Sequence, residues 1–339
     1  VTDPVTPDTS SRAPSASAAS PVTRAPEASP TESRHGIAYG LIAYGIWGAF
    51  PLYFHALEPS GAFEILAHRI LWTFVLCAVV LLVRRDLQWL RALLRSPRLS
   101  IGVTVAAIVI AVNWVVYVFA VLSGHTYEAA LGYFLNPLVT VALGVVILGE
   151  RLRPLQWAAV AVGVAAAVVL TVEGGAFPWI SLTLAFSFGT YGLVKKKVGA
   201  SLEAMHSLVA ETAVLAPFAI GVIVYLHVRG DGTFLGHGGL HPTLLVLAGP
   251  VTAGPLLLFA ASARRIPLVT VGLIQFITPV LQLLTAVFLL DEHVSTGLWV
   301  GFGIVWIALV LLTVDSLRSW HAHRPTVAQE CAVDGAEAH

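Results

Sequence analysis

The sequence predicts an all-α integral membrane protein, with ten transmembrane helices in two inverted five-helix repeats, and three observations predict it. Of 339 residues, 57% are hydrophobic and only 11% charged, against roughly 25% charged in a soluble domain. Ten apolar runs follow one another, with basic residues concentrated in every second connection. A register of matching residues also recurs at an offset of 142 positions.

A hydrocarbon core of about 30 Å requires roughly 20 apolar residues per helix, and shorter helices are tolerated. The runs read as Gly36 to His55, Phe63 to Val83, Ile101 to Leu122, Tyr127 to Leu148, Leu155 to Val172, Pro178 to Val194, Met205 to His227, Pro242 to Ser262, Pro267 to Leu290 and Leu298 to Val314. None alternates between apolar and polar, so helices, which satisfy their own backbone groups, are the spanning solution. Residues 1–34 are rich in Pro, Ser, Thr and Ala and predict a disordered cytoplasmic tail. Residues 35–173 and 174–316 are then the two repeats, and 317–339 a second cytoplasmic tail.

Arg12, Arg24 and Arg34 precede the first run, and Arg84, Arg85, Arg91, Arg95 and Arg98 follow the second. Arg151 and Arg153 follow the fourth, Lys195, Lys196 and Lys197 the sixth, Arg264 and Arg265 the eighth, and Arg318 and Arg324 the tenth. The other connections together hold only Arg229. The positive-inside rule then places both termini in the cytoplasm of a multi-pass protein of the cytoplasmic membrane. One helix more or fewer would scramble this alternation. Lys plus Arg equals Asp plus Glu at 19 each, so no global field points to nucleic acid. Cys77 and Cys331 are the two cysteines; they support neither a disulfide framework nor a metal cluster. No cofactor and no metal is expected.

Phe134, Pro137, Leu148, Glu150, Trp157, Leu170 and Thr171 match Phe276, Pro279, Leu290, Glu292, Trp299, Leu312 and Thr313 at the one offset. Pro, Glu and Trp are not generic membrane residues, so the matches mark a repeat. Five helices is an odd number, so the second half must enter the membrane from the opposite side. Inverted repeats place a binding site near the midplane between the halves.

Several residues are candidates to line that site. Pro137 and Pro279 each remove the hydrogen bond to a carbonyl four residues earlier, those of Tyr133 and Gln275, and so predict a kink in mid-helix. Asn136, beside Pro137 in "GYFLNP", belongs to the same break. Pro51, Pro217 and Pro255 predict further breaks. Trp47, Asn113, Trp114, Tyr117 and Tyr191 lie near the middle of their runs; each reads either as the wall of a site or as helix packing.

Ionisable residues within the runs are Glu64, His68 and Arg69, Glu128, and Glu211. A charge at the bilayer centre costs about 2.5–3.5 kcal/mol on the insertion scale, so these are candidates for gating or proton coupling. Glu64 can reach His68 at i, i+4, and Glu128 offers Arg69 a carboxylate. Arg69 divides equally between a structural ion pair and a gate or substrate contact, and its depth favours an outer vestibule. Glu211, its repeat mate, is not expected to pair with it.

"LIAYGIWGAFPLYF", "EILAHRILWTF", "NWVVYVFAV", "EAALGYFLNPLVTVALGVVILGERLRPLQWAAV", "LAFSFGTYGLVKKK" and "GLIQFITPVLQLLTAVFLLDE" together resemble the RarD-type permeases, an EamA branch of the drug/metabolite transporter superfamily, over roughly residues 35 to 316. The resemblance implies a secondary transporter moving a small metabolite or drug-like molecule by alternating access, with the lipid bilayer and a small-molecule substrate as its partners. A coupling proton is an additional candidate, and a flippase for a lipid-linked head group is the alternative. Neither a P-loop nor an HExxH motif occurs, and no enzymatic activity is expected. Substrate, coupling ion, direction and oligomeric state stay open.

Overall fold

In the computed structural model, residues 30–148, 154–173, 177–198, 202–235, 238–263, 265–266 and 274–322 are described. These residues form helices joined by turns and loops, with no strand among them. The helices are α1 (Pro30–Gly48), α2 (Phe50–His55), α3 (Ala62–Val83), α4 (Gln88–Arg95), α5 (Pro97–Leu122), α6 (Thr126–Leu148), α7 (Pro154–Glu173), α8 (Trp179–Val198), α9 (Ala204–Arg229), α10 (Leu240–Ala263), α11 (Ile277–Phe288) and α12 (Thr296–Ala322). Six of them, α3, α5, α6, α9, α10 and α12, contain stretches long and apolar enough to cross a membrane.

Each of the ten runs falls on helix, with two local departures. The first run is divided at Ala49 into α1 and α2, with Pro51 in the first turn of α2. Pro51 has no N–H to offer the Trp47 carbonyl, and the Gln282 side-chain amide donates to that oxygen instead, at 3.1 Å. In the ninth run Ile274 and Gln275 are helical, a turn follows at Phe276 and α11 begins at Ile277; residues 267–273 lie outside the described residues. A further helix, α4, forms in the connection after α3, and Ser96 caps the next helix by accepting from Leu99 N–H at 3.4 Å.

The packing repeats when the halves are exchanged. α3 packs on its repeat mate α9, α6 on α11, and α7 on α12. The α1–α10 contact recurs as α8–α5, α3–α10 as α9–α5, and α1–α11 as α8–α6. The direction of the chain shows the inversion. Asp86, just past the end of α3, bonds His206 in the first turn of α9 at 2.8 Å. At the other end, Glu64 in the first turn of α3 accepts from the Thr233 N–H and hydroxyl at 2.7 and 2.9 Å, just past the end of α9. α3 and α9 therefore run antiparallel. Glu64 and His206 are repeat mates, so equivalent positions pin both ends of the pair. The end where α3 finishes carries Arg84, Arg85, Arg91, Arg95 and Arg98 and is called the basic end below.

Glu292 secures the opposite end. Its two carboxylate oxygens accept from the Thr126 and Tyr127 N–H groups at 2.8 and 2.9 Å. Those groups open α6 and have no partner within the helix, and a carboxylate there also complements the helix dipole. Glu150, the mate of Glu292, lies outside the described residues.

Candidate functional site

A cavity of about 420 Å³ lies between the halves. Six pairs of repeat mates line it together: Phe50 with Gly192, Arg69 with Glu211, Trp114 with Leu256, Tyr117 with Phe259, Tyr133 with Gln275, and Asn136 with Thr278. The cavity thus straddles the pseudo-two-fold axis. Its lining reaches Ala204 and Lys195 towards the basic end. Beyond Arg69, towards the other end, Phe50, Phe54 and Leu57 are buried, and the Tyr53 hydroxyl donates to the Leu244 carbonyl at 2.6 Å.

Nine of the residues expected to bind substrate line this cavity: Trp47, Asn113, Trp114, Tyr117, Tyr133, Asn136, Tyr191, Gln275 and Pro279. Pro137 does not. α6 is continuous through it, and its polar neighbour Asn136 is in the cavity lining. Pro279 departs in the other direction. It occupies the first turn of α11, just after a turn at Phe276, where a missing N–H costs no intrahelical bond. Thr278, beside it, donates to the Tyr44 carbonyl at 2.8 Å, tying α11 to α1.

Asn113 organises the wall on the α5–α8 side. Its amide donates to the Leu184 carbonyl and the Ser187 hydroxyl, both at 3.0 Å, and its oxygen accepts from the Tyr133 hydroxyl at 3.4 Å. Tyr44, Trp47 and Phe259 form a second aromatic group, with ring centroids 5.3–6.0 Å apart.

The charged candidates divide. Arg69 is 4% exposed and forms part of the cavity wall, which corrects the expectation of an outer vestibule. Its Nε donates to the Thr252 hydroxyl at 2.8 Å. The guanidinium carbon lies 4.2 Å from the ring centre of Trp114, 5.3 Å from Phe50 and 5.6 Å from Phe54. Glu128 is not its partner among the described contacts; the Glu128 carbonyl accepts from Ser181 across to α8. Helix α10 supplies the Arg69 acceptor instead, because α3 packs directly on α10.

Glu211 lines the same cavity and is ion-paired to Lys195 at 2.7 Å. Tyr191 and Ser207 also donate to it, at 3.1 and 2.7 Å, and Lys195 donates to Ser207 as well. Lys195 opens the basic run Lys195–Lys197 that follows the sixth apolar segment. α8 extends past Val194 to Val198 and carries this ammonium inward, an apolar stem delivering a charge along a helix surface.

Glu64, His68 and Glu128 do not line the cavity. Glu64 is held by Thr233 rather than by His68. Ser60, Thr233 and the His241 Nε2 complete that cluster within 3.0 Å of one another. His68 accepts from Trp72 Nε1 at 3.2 Å and stacks on Phe234 at 4.8 Å. These contacts lie at the end of α3 opposite the basic end, and of Glu64, His68 and Arg69 only Arg69 lines the cavity.

The residues that sequence reasoning missed include Tyr44, Phe259, Lys195 and Gln282, all in the lining. The repeat carried a signal for one of them, since Phe259 is the mate of Tyr117. Gln282 was visible as a polar residue one turn beyond Pro279 in an apolar run.

The model of the EamA-like transporter family matches residues 34–172 and again 178–314. Protein RarD of Streptomyces exfoliatus is 49% identical over 289 residues, covering 85% of this chain and 91% of that protein. A Pseudomonas aeruginosa protein named an uncharacterized transporter is 41% identical, covering 84% and 95%. Protein RarD of Escherichia coli is 39% identical, covering 84% and 96%. One solved crystal structure superposes with a TM-score of 0.54 at 18% identity, covering 84% of this chain and 98% of its own, a likeness of fold.

Proposed function

This chain belongs to the EamA-like transporter family, in its RarD-type branch, and from that premise we propose that it is a secondary transporter moving a small organic molecule by alternating access through the cavity on the pseudo-two-fold axis. Membership supports a multi-pass membrane transporter. The mechanism rests on one observation, the six pairs of repeat mates that line a single cavity. Inverted halves that share a site can exchange conformations, and the exchange converts a cavity reaching one end into its counterpart reaching the other. The present arrangement reaches towards the basic end. By the positive-inside rule that end is cytoplasmic, with both termini beside it, in the cytoplasmic membrane.

Counterflow in proteoliposomes tests the reading. Vesicles loaded with an unlabelled solute are expected to accumulate the labelled form transiently, without nucleotide, and Asn136→Leu should lower the initial rate by up to about tenfold, the loss of one hydrogen bond in the site. A broad panel of metabolites and antibiotics that shows no exchange in vesicles containing correctly inserted protein contradicts it.

A further inference from the structure

We propose that the substrate carries a negative charge, of the carboxylate class, and that it supplies the counter-ion Arg69 lacks; this deepens the transport reading above and rests on the same cavity. Three ionisable groups of fixed charge line the cavity, Arg69, Lys195 and Glu211. Lys195 and Glu211 neutralise each other at 2.7 Å. Arg69 has no carboxylate partner among the described residues. Nε is bonded to Thr252, and Nη1 is fully buried with no hydrogen-bond partner among the described residues. Leaving a buried cation without a partner is expensive, and proteins tolerate it where a ligand completes the pair.

An arginine in the wall suits an anion, whereas a set of aromatic rings suits a cation. Around Arg69 the geometry favours the first. Trp114, Phe50 and Phe54 already have a cation against them, the Arg69 guanidinium at 4.2, 5.3 and 5.6 Å. A ring quadrupole engaged by a resident guanidinium has little left for a second positive charge. Glu211 likewise accepts from Lys195, Tyr191 and Ser207 and does not call for a ligand ammonium. Asn136 adds an uncommitted group: it is 2% exposed, lines the cavity, and neither its oxygen nor its nitrogen has a partner among the described residues. Its polar atoms are buried in the present arrangement, and a small shift of the side chain towards the cavity would let it donate to a carboxylate. The remaining wall, with Trp47, Tyr44 and Phe259, is apolar and aromatic, suited to a flat or apolar body.

Phenylacetate, phenylacetamide and phenethylamine share one shape and differ in charge. Binding to the purified full-length protein, read by thermal shift and titration calorimetry, is expected for phenylacetate and at least about tenfold weaker for the amide and the amine, the value of a charge-assisted bond. Arg69→Gln should weaken phenylacetate to the level of the amide, and Arg69→Lys should retain part of the difference. Equal binding of acid and amide, tighter binding of the amine, no binding of the acid, or an unchanged acid preference in Arg69→Gln each overturns the inference. An equal Arg69-dependent shift with inorganic phosphate or chloride also overturns it, by assigning the site to an inorganic ion. The comparison of three ligands on the unmodified protein decides even where Arg69→Gln fails to fold. The two readings fail separately: counterflow of a neutral solute indifferent to Arg69 contradicts the anion and spares the transporter, whereas Arg69-dependent phenylacetate binding without any counterflow does the reverse.

Discussion

Glu211→Gln is expected to destabilise the purified protein by about 1–3 kcal/mol and to reduce transport sharply. Removing one member of a buried ion pair costs about 3–5 kcal/mol, because the other is left uncompensated. Glu211 is 4% exposed, but Lys195 keeps 28% of its side chain exposed, and water screening of that ammonium lowers the cost towards the smaller range. Tyr191 and Ser207 donate to different oxygens of Glu211, so Gln keeps one of these acceptors and the other hydroxyl must turn to accept from the new amide, in addition to the loss of charge. The cavity would then hold two uncompensated cations, Arg69 and Lys195. Adding Lys195→Met to Glu211→Gln should recover more than half of the lost stability, since apolar replacement of a whole pair is often neutral. A double-mutant cycle by thermal or chemical unfolding measures the coupling. Additive losses in the cycle would show that Lys195 and Glu211 do not depend on one another.

Gly249→Ala is expected to be the more damaging change to assembly. A Cβ built on Gly249 would lie 2.5 Å from the Trp72 carbonyl carbon and 2.6 Å from its oxygen. Both are backbone atoms of α3, so α10 and α3 must separate. Overpacking of this kind costs about 1–3 kcal/mol or more, which exceeds the gain of about 1 kcal/mol from replacing glycine by alanine inside a helix. The same helix holds its own control. A Cβ on Gly254 meets nothing within 4 Å, so Gly254→Ala should be neutral or mildly stabilising. Comparing melting temperature and yield of the two variants separates the clash from propensity; equal behaviour would mean that α3 and α10 do not approach as described. Because α3 also carries Arg69, bonded to Thr252 of α10, the clash should disturb the cavity too.

Much of the fold was legible because membrane insertion writes itself into sequence twice, as apolar length and as the placement of basic residues. The repeat added the inversion, since Pro, Glu and Trp recur at one offset through otherwise interchangeable Leu and Val. Helix breaks were less legible. Pro137 and Pro279 look equivalent in sequence, yet α6 runs through the first and α11 begins just before the second. A proline tells where a hydrogen bond is missing and leaves open whether neighbouring helices hold the turn straight. Aromatic candidates were found well because polar-edged rings in mid-helix have few uses other than lining or packing. Partnership between charges was found poorly. Glu128 and Arg69 seemed matched by depth, whereas helix neighbours decide contact, and α3 lies against α9 and α10. Lys195 was hidden by its place in a basic run, its role depending on one extra turn of α8.

Alternating access is tested most directly by the mates Phe50 and Gly192, which line one cavity from opposite halves. Phe50→Cys and Gly192→Cys would each be placed in a background with Cys77→Ala and Cys331→Ala, then labelled with a membrane-impermeant maleimide in right-side-out and inside-out vesicles. Gly192 is exposed and Phe50 is 4% exposed in the present arrangement. The account predicts that the residue at 192 reacts from the basic end and the residue at 50 only from the opposite end, and that a bound solute shifts the two rates in opposite directions. Labelling of both positions from the same end, or a change at one with none at the other, would contradict it.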